Sequence, residues 1–311
     1  MTAISPYLTS CIAMAFTIKP CLSLLSRNSR SLSKLKSYGR PSMVTRMSST
    51  DAFDGNISRM DTLQKLLASH GAPGSIGGGK LVTCPEYVPA LHPHLIPLMK
   101  SETSGNYICA LNRVYDDVSA AGGIPPMPIV ESAEDMPGMR LLALNSEHLM
   151  RRIACEADDS GTKEGKDIVA MYNDGLGSGL VDEAFDSVYE HGSVEKLGYG
   201  LDKYILLRVG PFPDLYETMS CEHMGRNSEE SALIAAETAN GKFTGFGSSF
   251  ASYARLLNSL PNRNEEARDA ARVCLRLPLY TMGMTVEEFA EISRLAELAG
   301  GGGSVSEAVK E

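Results

Sequence analysis

The run GAPGSIGGGKLVTC, Gly71 to Cys84, contains a match to the opening of a phosphate-binding loop, G-x-x-x-x-G-K, from Gly74 to Lys80. Such a loop wraps phosphate oxygens in backbone N–H groups, sends its lysine to the β/γ oxygens and sets a Ser or Thr hydroxyl on Mg²⁺, all between a buried strand and a helix. Here Lys80 is followed by Leu81, the residues before Gly74 read as helix, and Pro85 interrupts what should be the helix afterwards. The context fails three times, so a linker is expected and no nucleotide at Gly74 to Lys80.

His92 and His94, in LHPHL with Cys84 and Glu86 nearby, could in principle share a metal. Two ligands around a proline make a weak site, and the six histidines form neither H-x-x-E-H nor H-E-x-x-H. His148 and His223 stand beside Glu147 and Glu222 on expected helices, the setting of structural or solvated imidazoles. No G-x-S-x-G elbow is present, and GLGSG (Gly175 to Gly179) lacks the strand and third glycine of a dinucleotide fingerprint. Seven cysteines without a C-x-x-C pair argue against a zinc ribbon or disulfide framework and for a reducing compartment. No catalytic residue, metal or cofactor is expected from these groups.

Charge divides the chain. Residues 1–50 hold seven bases (Lys19, Arg27, Arg30, Lys34, Lys36, Arg40, Arg46), eleven serines and no acid before Asp51. That is the composition of an organelle presequence. Removing those seven from the 29 bases leaves 22 against 38 acids, a net charge of −16, a poor surface for nucleic acid. No stretch of eighteen apolar residues suggests a transmembrane helix. In TAISPYLTSCIAMAF the small residues Ala13 and Ala15 precede Phe16. This resembles the bipartite presequences of algae with red-lineage plastids, a signal peptide cleaved between Ala15 and Phe16 ahead of a transit peptide. The leucines at 22, 25, 32 and 35 fit a mitochondrial amphipathic helix as the alternative.

The elements come next. Ile57, Met60, Leu63, Leu66 and Leu67 share one helical face, which Gly71 closes. The following glycines read as a flexible connector, and four prolines between Pro85 and Pro97 argue against any long regular element there. YICALNRV (107–114), PMPIVES (126–132) and MRLLALN (139–145) read as strands of a small antiparallel sheet. Asn145 or Ser146 caps a helix that lays Leu149, Ile153 and Ala157 on that sheet. Helices are expected around 167–173, 181–190 and 194–209, stopped by Pro211 and Pro213.

The stretches beginning at Leu215 and Ser252 share one plan: a helix, a tight turn (Gly225 to Asn227; Pro261 to Asn264), two glutamates and a helix rich in small residues. Ala232, Ala236 and Ala239 recur as Ala267, Ala271 and Cys274, a constant offset of 35 residues. Small side chains at i, i+4 and i+7 let paired antiparallel helices approach closely, and this period belongs to stacked helical hairpins. A last helix follows, with Thr285 and Glu288 as its capping box and Val286, Phe289, Ile292 and Leu295 as its buried stripe. Residues after Ala299 read as a flexible tail. The hairpins at 215–278 resemble tetratricopeptide repeats. LHPHLIPL, the strands and NEEARDAARVCLRLPLYTMG together resemble a tetratricopeptide-like (TPR-like) family of plant and algal chloroplasts, although the Trp and the Gly before Tyr of the usual repeat are missing.

The expectation is an α+β, mostly helical protein in five parts. These are a presequence (1–50), a helix with linker (51–80), a small α+β domain (81–160), a TPR-like helical domain (161–299) and a tail (300–311). Its function is expected to be non-catalytic binding or assembly of other plastid proteins. Tyr216, Glu222, Tyr253, Arg255 and Asn258 would line the hairpin surface that grips them. The alternative is a metal- or cofactor-dependent enzyme with its site near His92, His94 and Glu86.

Overall fold

The computed structural model describes residues 49–76, 78–84, 88–112, 127–133, 138–175 and 188–297. Helix α1 (Ser49–His70) carries the expected apolar face, with Leu63, Leu66 and Leu67 fully buried. Gly71 ends it at φ +95°, its N–H bonded to the Leu67 carbonyl at 2.8 Å, a position where a Cβ would be strained.

Five strands follow in a simple antiparallel meander, β1 (Leu81–Thr83), β2 (Leu95–Ser101), β3 (Tyr107–Leu111), β4 (Ile129–Ser132) and β5 (Met139–Ala143), hydrogen-bonded in chain order. Strands β3, β4 and β5 coincide with the three expected segments. Strand β1 precedes the prolines, and β2, seven residues long, enters only the end of the stretch in which no long regular element is expected. Pro97 enters β2 at a register shift between Pro97 and Met99, and β1 pairs only Met99 to Ser101, so among the described residues no second strand covers the proline.

Every residue of β3 is buried. Ile108 and Ala110 face a core made with Leu63, Leu66 and Leu67 of α1 and Leu149 and Ile153 of α2 (Ser146–Asp159). Tyr107, Cys109 and Leu111 face the opposite way, into a core with Ala239, Phe243 and Phe246. The sheet is thus the middle layer, and the apolar sequence YICAL of β3 follows from its having no wet face. Helix α2 starts at the expected cap: the Asn145 side chain accepts the Glu147 N–H at 2.7 Å.

Helix α3 (Lys163–Asp174) matches the expected segment. The expected helix at 181–190 falls largely outside the described residues; residues 188–190 are irregular, with Tyr189 buried. The expected 194–209 helix is two, α4 (Ser193–Leu197) and α5 (Leu201–Arg208), because Gly198 and Gly200 between them sit at φ +71° and +84°.

Two consecutive hairpins follow, α6 (Pro213–Gly225) with α7 (Glu229–Lys242), and α8 (Gly247–Ser259) with α9 (Asn264–Leu275). The offset of 35 holds in three dimensions. Ala232, Ala235, Ala236 and Ala239 of α7 are buried, as are Ala267, Ala270, Ala271 and Cys274 of α9, and the turn residues Asn227 and Asn262 both adopt positive φ, +56° and +61°. Each hairpin is entered through a buried phenylalanine at the cap position, Phe212 or Phe246.

Helix α10 (Val286–Leu295) has the expected capping box of Thr285 and Glu288. Its expected stripe is corrected: Ile292 is fully buried with Ala296, while Val286 and Phe289 remain 67% and 38% exposed. The C-terminal half of α10 settles against the core that α8 and α9 build, while Val286 in its first turn stays outside that core. Residues 1–48 of the expected presequence, and the expected tail, lie outside the described residues.

Candidate functional site

Helices α6 and α8 run side by side in successive hairpins and leave between them a groove of about 450 Å³. Glu217, Ser220, Cys221 and Met224 line it from α6, and Ser249, Ser252, Leu256 and Ser259 from α8. The spacings of three, four and seven residues place each set on one helical face. The floor is Ala236 and Ala239 of α7, whose small side chains let the backbone come close and keep the groove deep.

Polar groups gather at the end nearest the sheet. Ser252 Oγ donates to Glu217 Oε1 at 2.7 Å, and Arg140 of β5 approaches Glu217 Oε2 at 3.5 Å. Ser220 Oγ is spent on the Ala232 carbonyl at 3.1 Å. Ser249, only 3% exposed, has no hydrogen-bond partner for its Oγ. The second charged lining residue, Arg255, is held from outside by Glu288 (3.5 Å) and Glu291 (3.0 Å) of α10.

Of the residues expected on a binding surface, the structure brings Tyr216 and Arg255 to the groove. Tyr216 also packs edge-on against Phe243, ring centroids 6.1 Å apart, and burial pushes its hydroxyl pKa up. Glu222, Tyr253 and Asn258 are not among the lining residues. Glu222 pairs with Arg226 one turn on, at 3.0 Å. Tyr253 donates to Glu237 of α7 at 2.9 Å, and burial together with that carboxylate raises its pKa. Asn258 is exposed. Sequence reasoning missed Glu217, Ser249 and Ser252, although their three- and four-residue spacing from Ser220 and Leu256 puts them on one face of the first helix of each hairpin.

The glycine-rich stretch lies between α1 and β1, the reverse of strand–loop–helix order. It is tied to the sheet by the buried carboxylate of Glu131, which accepts from Ser75 Oγ (3.0 Å), the Ile76 N–H (3.0 Å) and Asn106 Nδ2 (2.8 Å). Gly74, at φ +73°, leaves room for Asp214, whose carboxyl carbon would lie 2.9 Å from an added Cβ. Asp214 in turn holds Arg152 of α2 through two hydrogen bonds of 2.7 and 2.6 Å, and Glu156 takes the Arg152 Nε at 2.7 Å. This is a structural joint between the helical layer over the sheet and the first hairpin.

The rings of His92 and His94 are 5.3 Å apart, and His94 Nδ1 meets the Asn112 carbonyl at 3.0 Å. Burial, then the neighbouring His94, hold the His92 imidazole pKa below its usual value. Cys84 packs against the apolar core on the hairpin side of the sheet, where burial pushes its thiol up, and Glu86 lies outside the described residues. Among the described residues, no group of three or more His, Cys, Asp or Glu side chains is arranged to hold a metal. Among them, too, no helix is long and apolar enough to cross a membrane.

The fold and groove together define a mostly helical α+β protein, its antiparallel sheet clamped between a helical layer and a stack of two hairpins. Residues 56–208 match the family model described as PAB N-terminal and residues 213–299 that described as PAB middle domain, so the chain carries these two PAB regions in succession. The junction falls between α5 and α6, at Pro211 and Pro213. The chain is a homologue of "Protein IN CHLOROPLAST ATPASE BIOGENESIS, chloroplastic" of Arabidopsis thaliana, 36% identical over 219 residues, 70% of its own length. It spans 60% of that relative's length. No solved structure matches. Kinship with a chloroplastic protein makes this a plastid protein and sets the mitochondrial alternative aside.

Proposed function

We propose that the chain is a non-catalytic assembly factor for the chloroplast ATPase, acting by binding other proteins on TPR-like hairpins in the plastid. The observation that carries this reading is the groove between α6 and α8. Two hairpins repeated at 35 residues place the first helix of each beside the other over a floor of small side chains, an open docking surface rather than an enclosed reaction chamber. The Arabidopsis relative is named for chloroplast ATPase biogenesis, which supports the choice of client. The test is depletion of the chain followed by native electrophoresis of plastid extracts. Assembled ATPase is expected to fall while its separate subunits persist; ATPase assembled to the normal level would refute the proposal.

Residues 1–50 are proposed to deliver the chain, with cleavage between Ala15 and Phe16. A fluorescent fusion carrying Phe16→Ala is expected to stall outside the plastid, and unimpaired plastid entry would dismiss this presequence reading.

A further inference from the structure

We propose that the α6–α8 groove seats a segment of a partner polypeptide in which an apolar side chain stands beside a basic one. This rests on the protein-binding reading above and specifies the chemistry of the partner. At about 450 Å³ the groove lies toward the small end of ligand pockets, about 300–1,000 Å³, with room for an anchor side chain and its neighbour rather than a whole helix. Met224, Leu256 and the Ala236 and Ala239 floor supply the apolar seat.

The polar end selects for donors and positive charge. Ser249 is 3% exposed and its Oγ has no partner, which is costly for a hydroxyl cut off from water. A serine hydroxyl turns on a single bond and can meet an amide of a seated chain. Glu217 has spare acceptor capacity, since Arg140, its one cationic partner among the described residues, stands 3.5 Å away. Arg255 contributes no free positive charge, because Glu288 and Glu291 together leave that trio at −1. A basic side chain beside the anchor therefore complements the groove, and an acidic one would be repelled.

The test uses the full chain and fluorescein-labelled dodecapeptides with a Gly-Ser frame around a central Leu-Lys, Leu-Gln, Leu-Glu or Ser-Lys pair, titrated by fluorescence anisotropy. The Leu-Lys peptide is expected to bind at least about tenfold tighter than Leu-Glu or Ser-Lys. Ser249→Ala is expected to weaken it about fivefold while the thermal midpoint of the free protein holds or rises, because an unsatisfied buried hydroxyl has been removed. Glu217→Gln is expected to erase the preference for Leu-Lys over Leu-Gln. Equal affinity for all four peptides, or unchanged affinity in Ser249→Ala, overturns the proposal. So does a chain truncated after Glu297 that binds more tightly, which would make the tail the occupant, or a dimer in sedimentation that Ser252→Met dissociates. The groove-filling Ser252→Met and the groove-widening Leu256→Ala are both expected to lose the Leu-Lys peptide. If Ser252→Met restores ATPase assembly in depleted cells, the groove proposal falls and the assembly role stands. Normal ATPase in depleted cells with intact Leu-Lys selectivity has the opposite meaning.

Discussion

Replacing Arg152 by Ala tests the joint between the two PAB regions. The side chain is 5% exposed, makes three hydrogen bonds of 2.6–2.7 Å to Asp214 and Glu156, and lies 4.7 Å over the Phe212 ring. Burial alone would lower its pKa, yet the two carboxylates more than compensate and the guanidinium is held above its usual value. Deleting the cation strands Asp214 and Glu156, which are 22% and 20% exposed. Breaking a buried pair from one side costs about 3–5 kcal/mol, and this residual access to water puts the expected loss near the lower end, about 3 kcal/mol. Against a usual total of about 5–15 kcal/mol that is a large fraction. Urea unfolding followed by circular dichroism should show the midpoint falling by about 1 M. Arg152→Met with Asp214→Asn should cost less than the sum of the two single changes by at least about 1.5 kcal/mol. A loss below about 1 kcal/mol in Arg152→Ala, or additive single effects, would refute the view that this pair joins the layers.

Three other outcomes are expected. Ala271→Leu inserts bulk where α8 and α9 touch through a fully buried alanine, and should destabilise by about 2–3 kcal/mol in the same urea assay. Asp158 is pushed up by burial, but hydrogen bonds from His191 (3.0 Å), the Gly192 N–H (2.8 Å) and the Tyr189 hydroxyl (3.0 Å) outweigh this and hold its pKa below 3.8. Its stabilisation is therefore present above the unfolded value and lost as pH falls through the lower folded one, so Asp158→Asn should cost about 2 kcal/mol at pH 7 and flatten the decline below about pH 4 in acid unfolding. Brief iodoacetamide treatment with mass spectrometry should label exposed Cys221 before Cys84, and leave Cys155 and Cys274, pushed up by burial to about 12 and about 11, unmodified until the chain unfolds.

Legibility in the sequence followed the range of the forces involved. The Asn145 cap and the Thr285–Glu288 box are contacts within three residues, and both appear where the side chains predict them. The hairpins were readable because close packing of adjacent antiparallel helices demands small residues, and that demand repeats at 35. The proline-bearing strand β2 was hidden, since what admits Pro97 is a bulge and an uncovered flank, and both depend on where β1 stops. The stripe on α10 misled for a related reason: periodicity shows which residues share a face, but only the neighbouring helices determine how far along it burial extends.

The groove shows the same division. Tyr216 and Arg255 were identifiable as side chains of the first hairpin helices, yet Glu217, Ser249 and Ser252 became a set only when α6 and α8 came to lie side by side. Local side-chain chemistry in the sequence determined the helix caps, the two-hairpin plan and the divided charge of the chain. Tertiary structure alone decided that the sheet has two dry faces, that Arg152 meets Asp214 across 62 residues, and that the Ser249 hydroxyl is left without a partner. Burial and hydrogen bonding between distant segments depend on the position of every layer at once, which no stretch of sequence carries by itself.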